Sequence, residues 1–180
     1  MIEVIALRMA EGIKKRVPDH PTSVAVMKHA LSVLINTVSI LVISLTIGTL
    51  SGLLTETAIV LISFPFLRMA SGGLHLKSGT VCVLVTTSIV LGVASIPIND
   101  SWMRILVFSS LILVITFAPT DIHNQSRIPK KYYPLLKFIS LLIVSSNFII
   151  QSPIVAGSFF AQALTLVPWK EVKNKYGKTD

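Results

Sequence analysis

The chain has 180 residues, of which 52% are hydrophobic and only 13% charged, and its formal net charge is +8. Soluble domains carry about 25% charged residues, so this composition excludes an ordinary water-soluble fold and an intrinsically disordered chain. It predicts an all-α, polytopic membrane protein, a bundle of about six transmembrane segments. The single cysteine excludes an internal disulfide framework and a cysteine-rich zinc site, and we expect no cofactor and no metal.

Residues 1–29 form a polar and basic N-terminal segment. Ile2, Ile5, Met9 and Ile13 recur in it at helical spacing, which predicts an amphipathic helix lying in the membrane interface. Acidic residues are mixed with the basic ones, and no short apolar core precedes a cleavage site. The segment is therefore not interpreted as a secretory signal peptide.

Five uncharged apolar runs follow, at residues 30–55, 57–67, 78–99, 105–120 and 138–169. The second run alone is too short to cross a membrane as a regular helix. It could cross if it begins near Leu53, if it tilts little, or if the segment after it dips into the membrane. The last run is too long for one comfortable crossing, and Ser152-Pro153 lies near its middle. It is either one long span or a hairpin of two short spans that turns at this dipeptide.

The distribution of charge favours the hairpin. Basic residues cluster in the N-terminal segment, in residues 121–137 and in residues 170–180. With a hairpin, all three clusters lie on the cytoplasmic side, as the positive-inside rule requires. The sequence thus predicts a transmembrane domain over residues 30–169, a basic cytoplasmic tail over 170–180, and both termini in the cytoplasm. Membrane lipid accounts for the basic charge, and nucleic acid is not an expected partner.

His75 and the sole cysteine, Cys82, are the candidate reactive pair. On one continuous helix, residues seven apart lie two turns and roughly 10 Å apart, which is too far for a histidine to activate a thiol. Cysteine–histidine chemistry therefore requires a break between them. Gly72-Gly73 before His75, and Lys77-Ser78-Gly79 after it, can provide this break, because Gly79 can adopt backbone angles that fold the His75 segment back.

Ser78 is the predicted N-cap of the third span, which places Cys82 about one turn inside the helix. Ser78, Cys82 and Thr86 then form a polar stripe that should face other spans. The alternative interpretation is that Cys82 and His75 have only structural roles. A lone cysteine usually packs, and a histidine at a span border usually faces the interface. We expect His20 and His29 to be solvated or interfacial, and His123 to be a solvated loop residue.

A longer pattern surrounds this pair: an arginine at Arg68, three residues, the glycine pair, one residue, His75, six residues and Cys82. It resembles the signature of the accessory gene regulator B (AgrB) family of bacterial peptide quorum sensing. The segment from Ala118 to Asp121, followed by Asn124 and a basic loop, also resembles that family's loop after the fourth apolar segment.

The resemblance implies a membrane-embedded cysteine endopeptidase of the bacterial cell membrane, with its active site on the cytoplasmic side. Cys82 would be the nucleophile and His75 its general base and acid. Arg68, Gly72, Gly73 and Ser78 would support the site. The implied substrate is an AgrD-like propeptide with an amphipathic N-terminus and an acidic C-terminal tail. The enzyme would remove the tail and promote cyclisation to a thiolactone or lactone.

Several assignments stay open at this stage. Asp121 and Asn124 could orient His75 or contact substrate only if the two cytoplasmic loops meet. The basic residues Arg127, Lys130 and Lys131 either attract the propeptide's acidic tail or anchor the loop to lipid headgroups. The oxyanion stabiliser could be backbone N–H groups around the glycine pair, those at the start of the third span, or Arg68.

The alternative function is a non-enzymatic membrane protein of peptide transport or assembly. A metalloprotease would require an H-E-x-x-H motif, and a serine hydrolase a G-x-S-x-G elbow, and the sequence contains neither. The oligomeric state, including a homodimer, stays open as well.

Overall fold

A computed structural model describes residues 2–19, 21–73, 78–120 and 129–168, and over these residues it contains helices and no strand. The helices are α1 (Ile2–Arg16), α2 (Val24–Leu50), α3 (Leu54–Ser71), α4 (Gly79–Ser95), α5 (Asp100–Phe117), a 3-10 turn (Lys130–Tyr132), α6 (Tyr133–Ser145), α7 (Asn147–Ile150) and α8 (Pro153–Leu164). The predicted all-α class is confirmed.

Four stretches of this part of the chain are long and apolar enough to cross a membrane: α2, α3, α5, and α6 together with α7. The helices α4 and α8 are shorter and also apolar. Many large apolar side chains on these helices are exposed, among them Leu34, Ile62, Leu84, Phe108, Ile112 and Leu142. So much exposed apolar surface is unfavourable in water and suits lipid. The chain is a polytopic membrane protein.

The helix that contains the second apolar run begins before that run and is therefore longer than it. Helix α3 begins at Leu54 and ends at Ser71, so it has 18 residues and a length of about 27 Å, close to the thickness of a bilayer core. Pro65 lies inside this helix. One of the conditions set by the sequence, a start near Leu53, is therefore met.

The last apolar run is interrupted at the predicted place. Helix α7 ends at Ile150, the next residue Gln151 has a left-handed φ of 52°, and α8 begins after Ser152. The buried amide of Asn147 spans the interruption: it donates to the Ser152 carbonyl at 3.1 Å and accepts from the Ser152 N–H at 3.2 Å. Peptide groups at a helix interruption lose their helical partners, and the Asn147 amide replaces two of them.

The chain divides into two compact units. The first unit comprises the described residues within Met1–Leu54 and Leu76–Leu91. In it, α1 packs on α2, and Ala6 and Ala10 of α1 are fully buried. The apolar stripe of Ile5, Met9 and Ile13 stays 39–48% exposed. The small face of α1 thus contacts protein, while its large apolar face is available to lipid.

The second unit comprises the described residues within Thr55–His75 and Gly92–Asp180. Its centre is α5, which packs against both α6 and α8. The buried core of this unit consists of Leu67, Met103, Val107, Val114, Ala118, Val144, Ala156, Phe159, Ala163 and Leu166. On α8, Gly157 lies where a Cβ would come within 2.9 Å of Ile98 Cδ1, so a small residue permits close packing there.

Replacing Asn147 tests the interruption between α7 and α8. Asn147→Leu keeps the side-chain size but leaves the N–H and carbonyl of Ser152 without the amide that binds them. We expect a loss of about 2 kcal/mol of stability, seen as a lower apparent Tm in detergent micelles. Ser146→Ala is the control, since that hydroxyl bonds within its own helix turn. Equal Tm values for the two variants would contradict this role for Asn147.

Candidate functional site

The glycine pair of the motif forms a left-handed turn at the end of α3. Gly72 has φ of 73° and Gly73 has φ of 127°, backbone conformations that favour glycine. The Gly72 N–H still donates to the Arg68 carbonyl at 2.9 Å, so the turn leaves the last helical residue, Ser71, directly. Helix α3 therefore ends immediately before the segment that carries His75.

Gln162, on α8, holds this turn from the side. It is fully buried, and its Nε2 donates to the Gly72 carbonyl at 2.7 Å and to Ser71 Oγ at 3.2 Å. Its Oε1 is buried and has no hydrogen-bond partner among the residues that the structure describes. A buried amide that binds a carbonyl at the end of a membrane helix compensates for the missing helical N–H.

The segment after α5 holds the same turn through its backbone. The Gly73 N–H donates to the Thr120 carbonyl at 3.0 Å, and the Thr120 N–H donates to the Ser71 carbonyl at 3.1 Å. These two bonds form a short parallel bridge between Gly72 and Thr120. The end of α3 and the residue Thr120 after α5 are therefore in direct contact through their backbones.

Neighbouring side chains occupy the space where a side chain of residue 73 would lie. A Cβ at this position would lie 2.6 Å from Thr165 Oγ1, 3.2 Å from Gln162 Nε2 and 3.4 Å from Arg68 Nη1. A methyl group does not fit there without displacing the Thr165 hydroxyl, which donates to the Gln162 carbonyl. The guanidinium of the motif's Arg68 thus lies beside the motif's Gly73.

The ends of three helices converge at this turn. The residues that meet at Gly72-Gly73 come from the end of α3, from Thr120 just after α5, and from Gln162 and Thr165 at the end of α8. The C-terminal ends of α3, α5 and α8 are therefore on the same side of the second unit. This convergence agrees with a hairpin in the last apolar run and not with a single span.

The thiol of Cys82 belongs to the first unit, in the second turn of α4. This helix begins at Gly79, and the Cys82 N–H donates to the Ser78 carbonyl at 3.0 Å, so Ser78 occupies the N-cap position. Cys82 is half-buried, and its Sγ lies 4.0 Å from Thr86 Oγ1. The polar stripe of α4, formed by Ser78, Cys82 and Thr86, is half-buried. It borders the packed face of α4, where Val83, Thr87 and Val90 are buried.

Gly79 does not form the turn that the sequence allowed there. It is the first residue of α4, and the left-handed glycines that precede it are Gly72 and Gly73. Gly79 is needed for a different reason. A Cβ there would lie 2.8 Å from Asn36 Oδ1, so the absence of a side chain allows α2 to approach the start of α4.

For the other predicted site residues the structure gives less information. His75, Asp121, Asn124 and Arg127 lie outside the described residues, and their roles stay predictions. Lys130 begins the 3-10 turn before α6. Lys131 is exposed and places its Nζ 5.0 Å from the centre of the Tyr132 ring, a cation–π contact.

Sequence reasoning missed Gln162, Thr165 and Asn36. Each is an amide or hydroxyl side chain inside or at the end of an apolar run. Such side chains usually face protein rather than lipid, and this signal could have marked them. It could not have paired Gln162 with a carbonyl 90 residues earlier in the chain.

Comparison with known proteins agrees with the class of protein that fold and motif define, a small polytopic membrane protein of bacterial quorum sensing. The family model of Accessory gene regulator B matches residues 6–169. The chain belongs to the AgrB family.

Two relatives carry the name "Putative AgrB-like protein". The one from Listeria innocua is 28% identical over 187 aligned positions, which cover 94% of this chain and 91% of the relative. The one from Halalkalibacterium halodurans is 26% identical over 120 residues, which cover 66% of this chain and 61% of the relative. The matched part thus spans less than two thirds of that second protein. No solved structure matches the chain.

A methyl group at Gly73 tests the crowded turn. We expect Gly73→Ala to cost about 1–3 kcal/mol, because alanine strains at this φ and its Cβ meets Thr165 Oγ1. Apparent Tm in detergent measures the change. Gly92→Ala is the matched control, since no atom lies within 4 Å of a Cβ there and alanine favours a helix. A Gly73→Ala protein as stable as Gly92→Ala would contradict the packing described here.

Proposed function

We propose that this protein is a cysteine endopeptidase that removes the acidic tail of a short quorum-sensing propeptide and promotes its cyclisation. The supporting observation is that two separate helices carry the motif, one with Arg68 and the other with Cys82. Helix α3 ends at Ser71, and the helix with Cys82 starts only at Gly79. One rigid helix through both motif halves would have kept the imidazole and the sulfur two turns apart. The family also favours propeptide processing.

The proposed chemistry begins with proton transfer from the Cys82 thiol to His75. The thiolate then attacks the carbonyl carbon at the C-terminal edge of the pheromone segment, forming a tetrahedral oxyanion. As this intermediate collapses, the C–N bond breaks, and His75 gives its proton to the leaving amine of the acidic tail. The pheromone segment stays bound to Cys82 Sγ as a thioester.

The thioester keeps the energy that ring closure needs. A cysteine thiol or serine hydroxyl within the bound peptide attacks the same carbonyl, and its proton passes through His75 to Cys82 Sγ. Exchange of one thioester for another is nearly isoenergetic, whereas hydrolysis would lose the intermediate. A site at the membrane border favours cyclisation, because it limits water and holds the internal nucleophile close.

The turn at Gly72-Gly73 supplies the rigidity that this scheme requires. Gln162 and Thr120 bind its peptide groups, and Thr165 and Arg68 pack on its open side. The residues that follow this turn include His75, so fixing the turn limits where the imidazole can go. Arg68 also brings a positive charge to this position, which suits stabilisation of an oxyanion or recognition of a substrate carboxylate.

The substrate class follows from charge and from the family. An AgrD-like propeptide with an amphipathic N-terminus would bind at the lipid surface, and its acidic tail would be drawn to the basic residues of the cytoplasmic side. Lys131, exposed at the start of α6, is part of this basic surface. The same charge also attracts anionic headgroups, so enzyme and substrate would share one interface.

Substitution of the reactive pair tests the enzyme assignment. The cognate propeptide is coexpressed with wild type, Cys82→Ser, Cys82→Ala or His75→Ala, and tail cleavage is followed by immunoblot and mass spectrometry. All three variants should lose cleavage, because nucleophile or proton carrier is missing. His29→Ala, at a histidine expected to be solvated, is the control and should cleave normally. Full cleavage by Cys82→Ala would rule out a Cys82 nucleophile.

Reporter fusions test the proposed topology. A phosphatase reporter, active only outside the cytoplasm, should be inactive after Asp180 and active after Gln151. A cytoplasmic reporter should give the reverse pattern. The physical reason is the positive-inside rule, together with the convergence of the C-terminal ends of α3, α5 and α8. An external signal after Asp180 would overturn the six-span arrangement.

A further inference from the structure

A carboxylate from the N-terminal helix binds the first turn of the helix that carries Cys82. Glu3, in the first turn of α1, accepts a hydrogen bond from the Gly79 N–H at 2.8 Å, across 76 residues of sequence. The N–H of the first helical residue has no partner within its own helix. Glu3 thus provides the partner from another helix, and a negative charge suits the positive end of the helix dipole.

A second polar side chain lies against the same residue. A Cβ at Gly79 would lie 2.8 Å from Asn36 Oδ1 and 3.1 Å from Asn36 Nδ2, so the amide of α2 touches the backbone at the start of α4. Asn36 Oδ1 is buried and has no hydrogen-bond partner among the described residues. The start of α4 is therefore held between α1 and α2, all within the first compact unit.

Glu3 binds Gly79 as a carboxylate at neutral pH. The N–H of Gly79 is the largest cause that lowers the pKa of Glu3 below its usual value, and Lys28 on α2 lowers the pKa further. The contact is consequently a charge-assisted hydrogen bond, which is shorter and stronger than a bond between neutral groups. Protonation would weaken it only as the pH falls below the ordinary range of a glutamate, since the bound form has the lower pKa.

Cys82 follows Gly79 by three residues, which on a helix places the two on neighbouring positions of one face, about 5–6 Å apart between Cβ positions. Any shift or fraying of the first turn of α4 therefore moves the thiol. We propose that Glu3 is a positioning residue for Cys82, so that the N-terminal amphipathic helix is a working part of the thiol site. Its effect on catalysis rests on the proposed function, whereas its effect on the placement of the thiol does not.

This contact links the membrane surface to the reactive sulfur. The exposed apolar stripe of α1, Ile5, Met9 and Ile13, is suited to the lipid interface, and the same helix holds the start of α4 through Glu3. The depth of α1 in the interface thus sets the depth of the first turn of α4. A thiol that must meet a substrate bound to lipid needs such a fixed depth.

The first test measures tail cleavage by full-length protein in lipid vesicles with the cognate propeptide. Glu3→Ala should lower kcat about tenfold with little change in KM, because the thiol is misplaced but the peptide still binds. Glu3→Gln should stay within about threefold of wild type, because its amide oxygen still accepts from Gly79. The matched control is Glu11→Ala, at an exposed glutamate of the same helix, which should match wild type.

The second test does not depend on catalysis. Cys82 is the only cysteine, so iodoacetamide labels a single site, and its alkylation rate reports where the thiol lies. Glu3→Ala should change this rate at least about threefold, while Glu3→Gln and Glu11→Ala should leave it unchanged. If Glu3→Ala does not accumulate, Glu3→Asp, which withdraws the carboxylate by one methylene, replaces it with the same expectation.

The outcomes separate this proposal from the proposed function. An alkylation rate in Glu3→Ala equal to that of wild type would overturn the positioning role. So would a raised KM at constant kcat in Glu3→Ala, which would indicate contact with substrate. Cleavage by Cys82→Ala would instead refute the peptidase, and the alkylation rates would still decide the role of Glu3.

Discussion

Several peptide groups at the end of α3 have no partner within the helix, and their burial in the protein keeps water from replacing it. The structure satisfies them with the Gln162 amide on the Gly72 carbonyl and with the Thr120 carbonyl on the Gly73 N–H. Everything else around this turn depends on those bonds. They draw the ends of α5 and α8 to the end of α3, and they allow a left-handed turn where irregular backbone would otherwise be costly.

A second constraint acts at the start of α4, in the other compact unit. Here the unpaired group is a helix N–H, and the partner is the Glu3 carboxylate of α1. The absence of a side chain at Gly79 lets α2 pack its Asn36 amide against the same turn. Both units therefore use polar side chains from distant positions of the chain to fix the ends of the motif, one before His75 and one before Cys82.

These two sets of contacts give a structural reason for the glycines of the motif. Gly72 and Gly73 provide a conformation and a close approach, and Arg68 lies beside Gly73. The proposed thioester chemistry needs a nucleophile and a proton carrier held in one geometry while water is kept away.

The sequence by itself determined the membrane class, the apolar segments, the interruption at Ser152 and the family, because hydrophobic periodicity, proline, charge and a spaced motif are local signals. It also located the break between His75 and Cys82, although Gly79 proved to be a packing residue and not the turn. Only the tertiary structure decided that Gln162 and Thr120 bind the glycine pair and that Glu3 and Asn36 meet Gly79. These partners are separated by tens of residues, and a hydrogen bond between distant residues depends on how helices pack, which no local pattern encodes.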